Sequence, residues 1–216
     1  MKRIFFRVVV YVIGLLVLAF GVVFTINSDL GVSPVNSLPY AVSLVFDLNL
    51  GMCVTIFFII CILLQIVLLR REFKWINLAQ IIFSTIFGVF VDLARFVVGD
   101  FSLPTYFGQL ALLVMGILCI ALGLVIYLET KLVPLPPEGL VLAIVSKLKN
   151  AQFHIIKVML DSSLVIAAVI LLFALADEFH GVREGTIISA LAIGKIMPYV
   201  KRPVTPILDK VGFYRL

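Results

Sequence analysis

FFRVVVYVIGLLVLAFGVVFTINSDLGVSPVNSLPYA, residues 5–41, returns 102 positions later as FGQLALLVMGILCIALGLVIYLETKLVPLPPEGLVLA, residues 107–143. Phe5, Val12, Gly14, Leu16, Ala19, Gly21, Val23, Leu30, Pro34, Leu38 and Ala41 align with Phe107, Val114, Gly116, Leu118, Ala121, Gly123, Val125, Leu132, Pro136, Leu140 and Ala143. That is 11 identities in 37 positions without a gap. Apolar segments match by chance more easily than soluble ones, so the identities alone argue little. The shared Gly-x6-Gly spacing, with a proline 13 residues after the second glycine, argues more. A duplicated unit is expected, and an odd number of spans per copy makes it an inverted repeat, a plan common to secondary transporters.

The 216 residues are 63% hydrophobic and 13% charged, with a mean hydropathy of +1.24. No soluble single core needs so much apolar surface, so the chain reads as an all-α, polytopic membrane protein. About 20 apolar residues are needed per crossing. Six spans are expected near 4–26, 51–69, 77–98, 104–128, 152–175 and 185–200. The last is short and carries Lys195 and Pro198. The organisation that follows is a first three-helix repeat over 1–101, a second, inverted one over 102–203, and a C-terminal tail over 204–216. The apolar N-terminal run is too long for a signal peptide and reads as an uncleaved span.

Charge supports the count. Fifteen of the 17 basic residues fall in the segments that six spans place on one side, leaving only Arg95 and Arg183 near the other. The opposite loops hold Asp29, Asp47, Asp100, Asp177, Glu178 and Glu184. Both termini are therefore expected in the cytoplasm, in a bacterial inner membrane. The pI near 9.2 needs no nucleic-acid partner, because basic loops facing an anionic leaflet account for it. Cys53, Cys61 and Cys119 all lie in apolar spans and suit core packing better than a disulfide or metal set.

Two connecting segments are too apolar for loops and too short for spans. Ser33-Pro34 reads as N-cap and first residue of a helix running to about Phe46, before Asp47-Leu48-Asn49-Leu50-Gly51 breaks it. Pro136-Pro137-Glu138-Gly139 opens its counterpart, which runs to about Lys147 and ends by Asn150. Asn36 and Glu138 are aligned partners, each in a first helical turn. Helix N-termini expose unpaired N–H groups and partial positive charge, as broken-helix transporters use at the midplane. The plain alternative is a pair of interfacial helices lying flat on the bilayer.

Ionisable groups inside spans are costly and are candidates for function. Asp161 lies roughly 13 Å into the fifth span, and Lys157 sits one turn earlier on the same face, within reach of an ion pair. Ser33, Asn36, Tyr40, Glu138 and Asp161 are the candidate substrate-binding residues. Lys157, with the pair Asp92 and Arg95 three residues apart near the outer end of the third span, is a candidate for coupling or gating. Gln65, Gln80 and Gln109 are candidates to line a path or bridge helices. Gly14, Gly21, Gly116 and Gly123 read as small residues that let spans 1 and 4 cross closely. No catalytic motif, Walker loop or Cys/His ligand cluster occurs, so neither an enzyme nor a cofactor or metal site is expected.

Leu30-Gly31-Val32-Ser33-Pro34 through Leu38-Pro39-Tyr40, with Val91-Asp92-Leu93 and Pro137-Glu138-Gly139-Leu140, resembles the bacterial YitT/YczE-like membrane proteins over nearly the whole chain. The YitT type carries an additional soluble C-terminal domain; with so little sequence after the last expected span, none is expected here, and the chain looks more similar to the YczE branch. The resemblance implies an inner-membrane helical bundle and passage of small metabolites, vitamin B6-type compounds among them. Three functions fit the residues. A small secondary transporter of a vitamin or organic cation, alternating access around a site between the halves, leads. A substrate-capture subunit of an energy-coupling vitamin transporter ranks below it, because span 1 has only Ala19 where a docking stripe of alanines would be needed. A non-transporting scaffold or regulatory protein is the third. The partners expected are the bilayer and a small-molecule substrate.

Overall fold

Backbone amides in hydrocarbon must bond within their own segment, and these apolar runs do so as helices. The computed structural model describes residues 2–148, 151–175 and 183–210. Among them there is no strand. The helices are α1 (Lys2–Asn27), α2 (Pro34–Phe46), α3 (Leu50–Leu69), α4 (Ala79–Val98), α5 (Tyr106–Glu129), α6 (Pro136–Lys147), α7 (Phe153–Leu175) and α8 (Glu184–Lys210). Two 3₁₀ turns, Arg70–Glu72 and Trp75–Leu78, join α3 to α4. The short helices α2 and α6 stand where the sequence placed half-helices, each opening on its proline.

Five stretches are long and apolar enough to cross a bilayer: Ile4–Asn27, Leu50–Glu72, Trp75–Val98, Tyr106–Glu129 and Ile155–Leu175. The expected sixth span is helical but is not among them. Helix α8 carries Lys195, Lys201 and Arg202 and the prolines Pro198, Pro203 and Pro206. Nor does α8 stop at residue 203, where an exposed tail was expected to begin. Val204 and Leu208 pack against Phe6, Val10 and Ile126. Lys201 Nζ lies 2.7 Å from Glu129 Oε1, and Thr205 donates to Glu129 Oε2 at 3.3 Å. The segment 204–210 is thus tied to α1 and α5. Residues 211–216, like Asn150, Asp177 and Glu178, lie outside the described residues.

The sequence duplication has a structural counterpart, bond for bond, in the turns that follow α1 and α5. Ser28 Oγ donates to Thr25 O at 2.6 Å and Thr130 Oγ1 to Tyr127 O at 2.6 Å. The same hydroxyls accept from Leu30 N and Leu132 N. Asp29 and Lys131 both take the left-handed conformation, at φ 55° and 52°. Each of these residues is 102 positions from its counterpart. In both turns a short hydroxyl side chain folds back on the main chain and one left-handed residue follows it, ending the helix in the same way.

Packing repeats as well. Pairing α1 with α5, α2 with α6, α3 with α7 and α4 with α8, the contact of α2 on α7 maps onto that of α6 on α3. Likewise α1 on α4 maps onto α5 on α8, and α2 on α3 onto α6 on α7. The α3–α4 contact has no comparable α7–α8 counterpart among the described residues. At the centre α1 and α5 cross through the four aligned glycines. A Cβ on Gly21 would lie 2.7 Å from Ile120 N and 2.9 Å from Gly116 O. One on Gly123 would lie 2.6 Å from Leu18 N and 2.7 Å from Gly14 O. Backbones this close exclude any side chain, which is the reading the glycine spacing gave.

Candidate functional site

The prolines that start α2 and α6 direct both helix N-termini to one partly open cavity of about 460 Å³. That volume lies within the range of small-molecule sites. Its walls are apolar: Leu18 and Val22 of α1, Ile120 and Leu124 of α5, Phe58 of α3 and Phe87 of α4. The two phenylalanine rings stack at 5.7 Å between centroids, with planes 5° apart. Against this surface stand a few polar groups, from Ser33 and Asn36, Glu138, Lys157 and Asp161 of α7, and Ser189 of α8.

Lys157 is the hub. Its ammonium lies 3.0 Å from Asp161 Oδ1 and 3.6 Å from Glu138 Oε1, linking α7 to the first turn of α6. The expected ion pair within α7 therefore forms, and it also reaches Glu138, a link that spacing along one helix does not reveal. Two carboxylates face one ammonium, and all three side chains are less than a quarter exposed. Removing the shared ammonium strands both carboxylates at a cost of about 3–5 kcal/mol, whereas removing one carboxylate leaves a matched pair.

Asn36 donates from Nδ2 to Ser33 Oγ at 2.8 Å, which fixes the amide and turns Ser33 away from capping α2. Asn36 Oδ1, Glu138 Oε2 and Ser189 Oγ are shielded from solvent and make no hydrogen bond. Leaving one such group without a partner costs about 1–3 kcal/mol, a cost that a ligand can recover.

A second layer holds the start of α6 in place. Gln65 Nε2 donates to Pro136 O and to Gln80 Oε1, both at 3.0 Å, and Gln80 Nε2 returns a bond to Gln65 Oε1 at 3.3 Å. Both amides are buried, 1% exposed. Gly139 leaves room for them: a Cβ there would lie 2.8 Å from Gln65 Oε1 and 2.9 Å from Gln80 Nε2. These glutamines bridge helices and do not line the cavity.

Three of the expected site residues stand elsewhere. Tyr40 packs into the cluster of α1, α3 and α4 and does not line the cavity. Asp92 and Arg95 do not pair with each other. Asp92 Oδ1 accepts from Gly51 N at 2.8 Å, placing a carboxylate on the N-terminus of α3, where the helix dipole favours it. Arg95 makes a two-pronged contact with Asp100, Nε to Oδ1 at 2.9 Å and Nη2 to Oδ2 at 3.0 Å. The close α3–α4 approach at Gly51 and Gly88 sets this exchange of partners. Ser189 was missed, because one serine in an apolar span carries no signal until its neighbours are known. Among the described residues no group of His, Cys, Asp and Glu is placed to hold a metal ion.

Residues 5–202 match the family described as "Family of unknown function (DUF6198)". The chain belongs to this family. Two relatives come from Bacillus subtilis (strain 168). The "Uncharacterized protein YyaS" is 30% identical over 196 residues, covering 90% of this chain and 91% of the relative. The "Uncharacterized membrane protein YczE" is 28% identical over 138 residues, covering 63% and 62%. No solved structure matches. The YczE-like resemblance read from the turns agrees with these matches, and the protein is a membrane protein of this kind.

Proposed function

We propose that the protein is a small-molecule transporter of the bacterial cytoplasmic membrane that alternates access around the cavity. One observation carries the reading. Two half-helices from duplicated segments bring Asn36 and Glu138 to the same chamber, where Lys157 and Asp161 complete a buried charged set. Packing alone does not need two carboxylates and an ammonium around an apolar space, because lone charges at that depth are costly.

In this reading α8 is the sixth span, its basic C-terminal half reaching the cytoplasmic surface. Three spans per half then set the halves in opposite orientations, with both termini inside. Binding at Glu138 and Asp161 loosens their hold on Lys157, and the relative motion of α6 and α7 opens one face as the other closes.

The test is a stability screen of the purified protein against vitamins and organic cations, followed by uptake into vesicles of any compound that binds. A ligand at about 100 times its dissociation constant adds about 2.7 kcal/mol. Glu138→Gln and Asp161→Asn are expected to insert and purify normally yet lose both the ligand shift and the flux. Wild-type flux in both variants overturns the mechanism.

A further inference from the structure

The half-helix starts are poor anion sites, for a reason written in the sequence. Helix N-termini attract anions through free N–H groups. Pro34, Pro136 and Pro137 have none to offer. The Asn36 N–H is already taken by Ser33 O at 2.9 Å, and the Gly139 N–H by Leu135 O at 2.9 Å, which leaves at most one N–H at each start, from Val35 and from Glu138. What the cavity leaves without partners is two acceptors, Asn36 Oδ1 and Glu138 Oε2, beside the Ser189 hydroxyl, which can accept as well as donate. Asn36 is 6% exposed and Ser189 is fully buried. The Asn36 amide cannot present its donor instead, because Nδ2 is held by Ser33 Oγ.

Two carboxylates face the single ammonium of Lys157, and the two helix dipoles, each worth roughly half a charge, about offset that excess, so the unpartnered acceptors rather than the net charge decide the sign of the ligand. We infer that the cavity takes a small organic ammonium ion, its N–H groups directed to these oxygens and its apolar or aromatic body against Phe58 and Phe87. This rests on the cavity being the transporter's binding site.

The experiment measures binding to the purified full-length chain of phenethylammonium, its N-trimethyl analogue and 3-phenylpropanoate. Phenethylammonium is expected to bind. The trimethyl analogue keeps the charge but has no N–H, and should bind about tenfold more weakly or worse, the scale of a lost charged hydrogen bond. The propanoate should not bind. Glu138→Gln should weaken the ammonium by about tenfold or more, and Ser189→Ala, a smaller change that removes only one hydroxyl, by several-fold. Tight binding of the propanoate, lost in both variants, overturns the ammonium class and leaves the site standing. Equal ammonium binding to wild type and both variants overturns the site itself. No ammonium binding, or an equally tight trimethyl analogue, overturns the inference.

Discussion

Glu138 depends on neighbours that never touch the cavity. The Gln65–Gln80 pair holds Pro136 O, two residues before it. Gln65→Leu leaves the Gln80 amide without its partner and removes the tie to that carbonyl, so a loss of about 1–3 kcal/mol is expected in thermal unfolding. Changing both glutamines to leucine should cost less than the sum of the single changes, because no half-bonded amide remains. Strict additivity would show that the amides do not act as a unit. Lys157→Met is the charged analogue, stranding two carboxylates at a cost of about 3–5 kcal/mol. Adding Asp161→Asn should restore part of that stability. Glu138 and Asp161 were legible in sequence because carboxylates stand out in apolar runs. The Lys157–Asp161 pair was legible too, but that Lys157 also reaches Glu138 was not, since that link depends on how α6 meets α7. Asp92 misled for the same reason: Arg95 is near in sequence, but the N–H of Gly51 is nearer in space.

At the level of elements, the α1–α5 crossing tolerates no side chain. Gly21→Val and Gly123→Val should each destabilise by about 1–3 kcal/mol or more, as overfilled packing does. Gly194→Ala is the control. It has nothing within 4 Å of an added Cβ, so it should melt at or above the wild-type temperature. Equal losses at all three positions would separate the glycines from close packing. The crossing was legible because glycine at matched spacing in two apolar helices has few other uses. The starts of α2 and α6 were legible for a similar reason, since proline fixes where a helix begins. The far end of α8 was not. Its prolines and lysines read as an exposed tail, and only the placement of α1 and α5 shows what Val204 and Leu208 cover.

For the whole molecule, the orientation of the halves makes the sharpest test. With Cys53, Cys61 and Cys119 replaced, Arg71→Cys should react with an impermeant reagent only from the cytoplasmic side, and Ser102→Cys only from the outside. Labelling of both from one face contradicts three spans per half. Deleting 204–216 should lower the melting temperature, because α1 loses Leu208 and Glu129 loses Thr205. An unchanged melt would make that contact dispensable.

The matched turns after α1 and α5 bear on the shape that has not been seen. Asp29 and Lys131 already occupy the same region of backbone space, braced by the same pair of hydroxyl contacts. A conformer in which each half borrows the posture of the other therefore needs no local geometry that the chain does not already use. Threading residues 5–41 onto the path of 107–143, and the reverse, supplies a starting structure for the opposite-facing state.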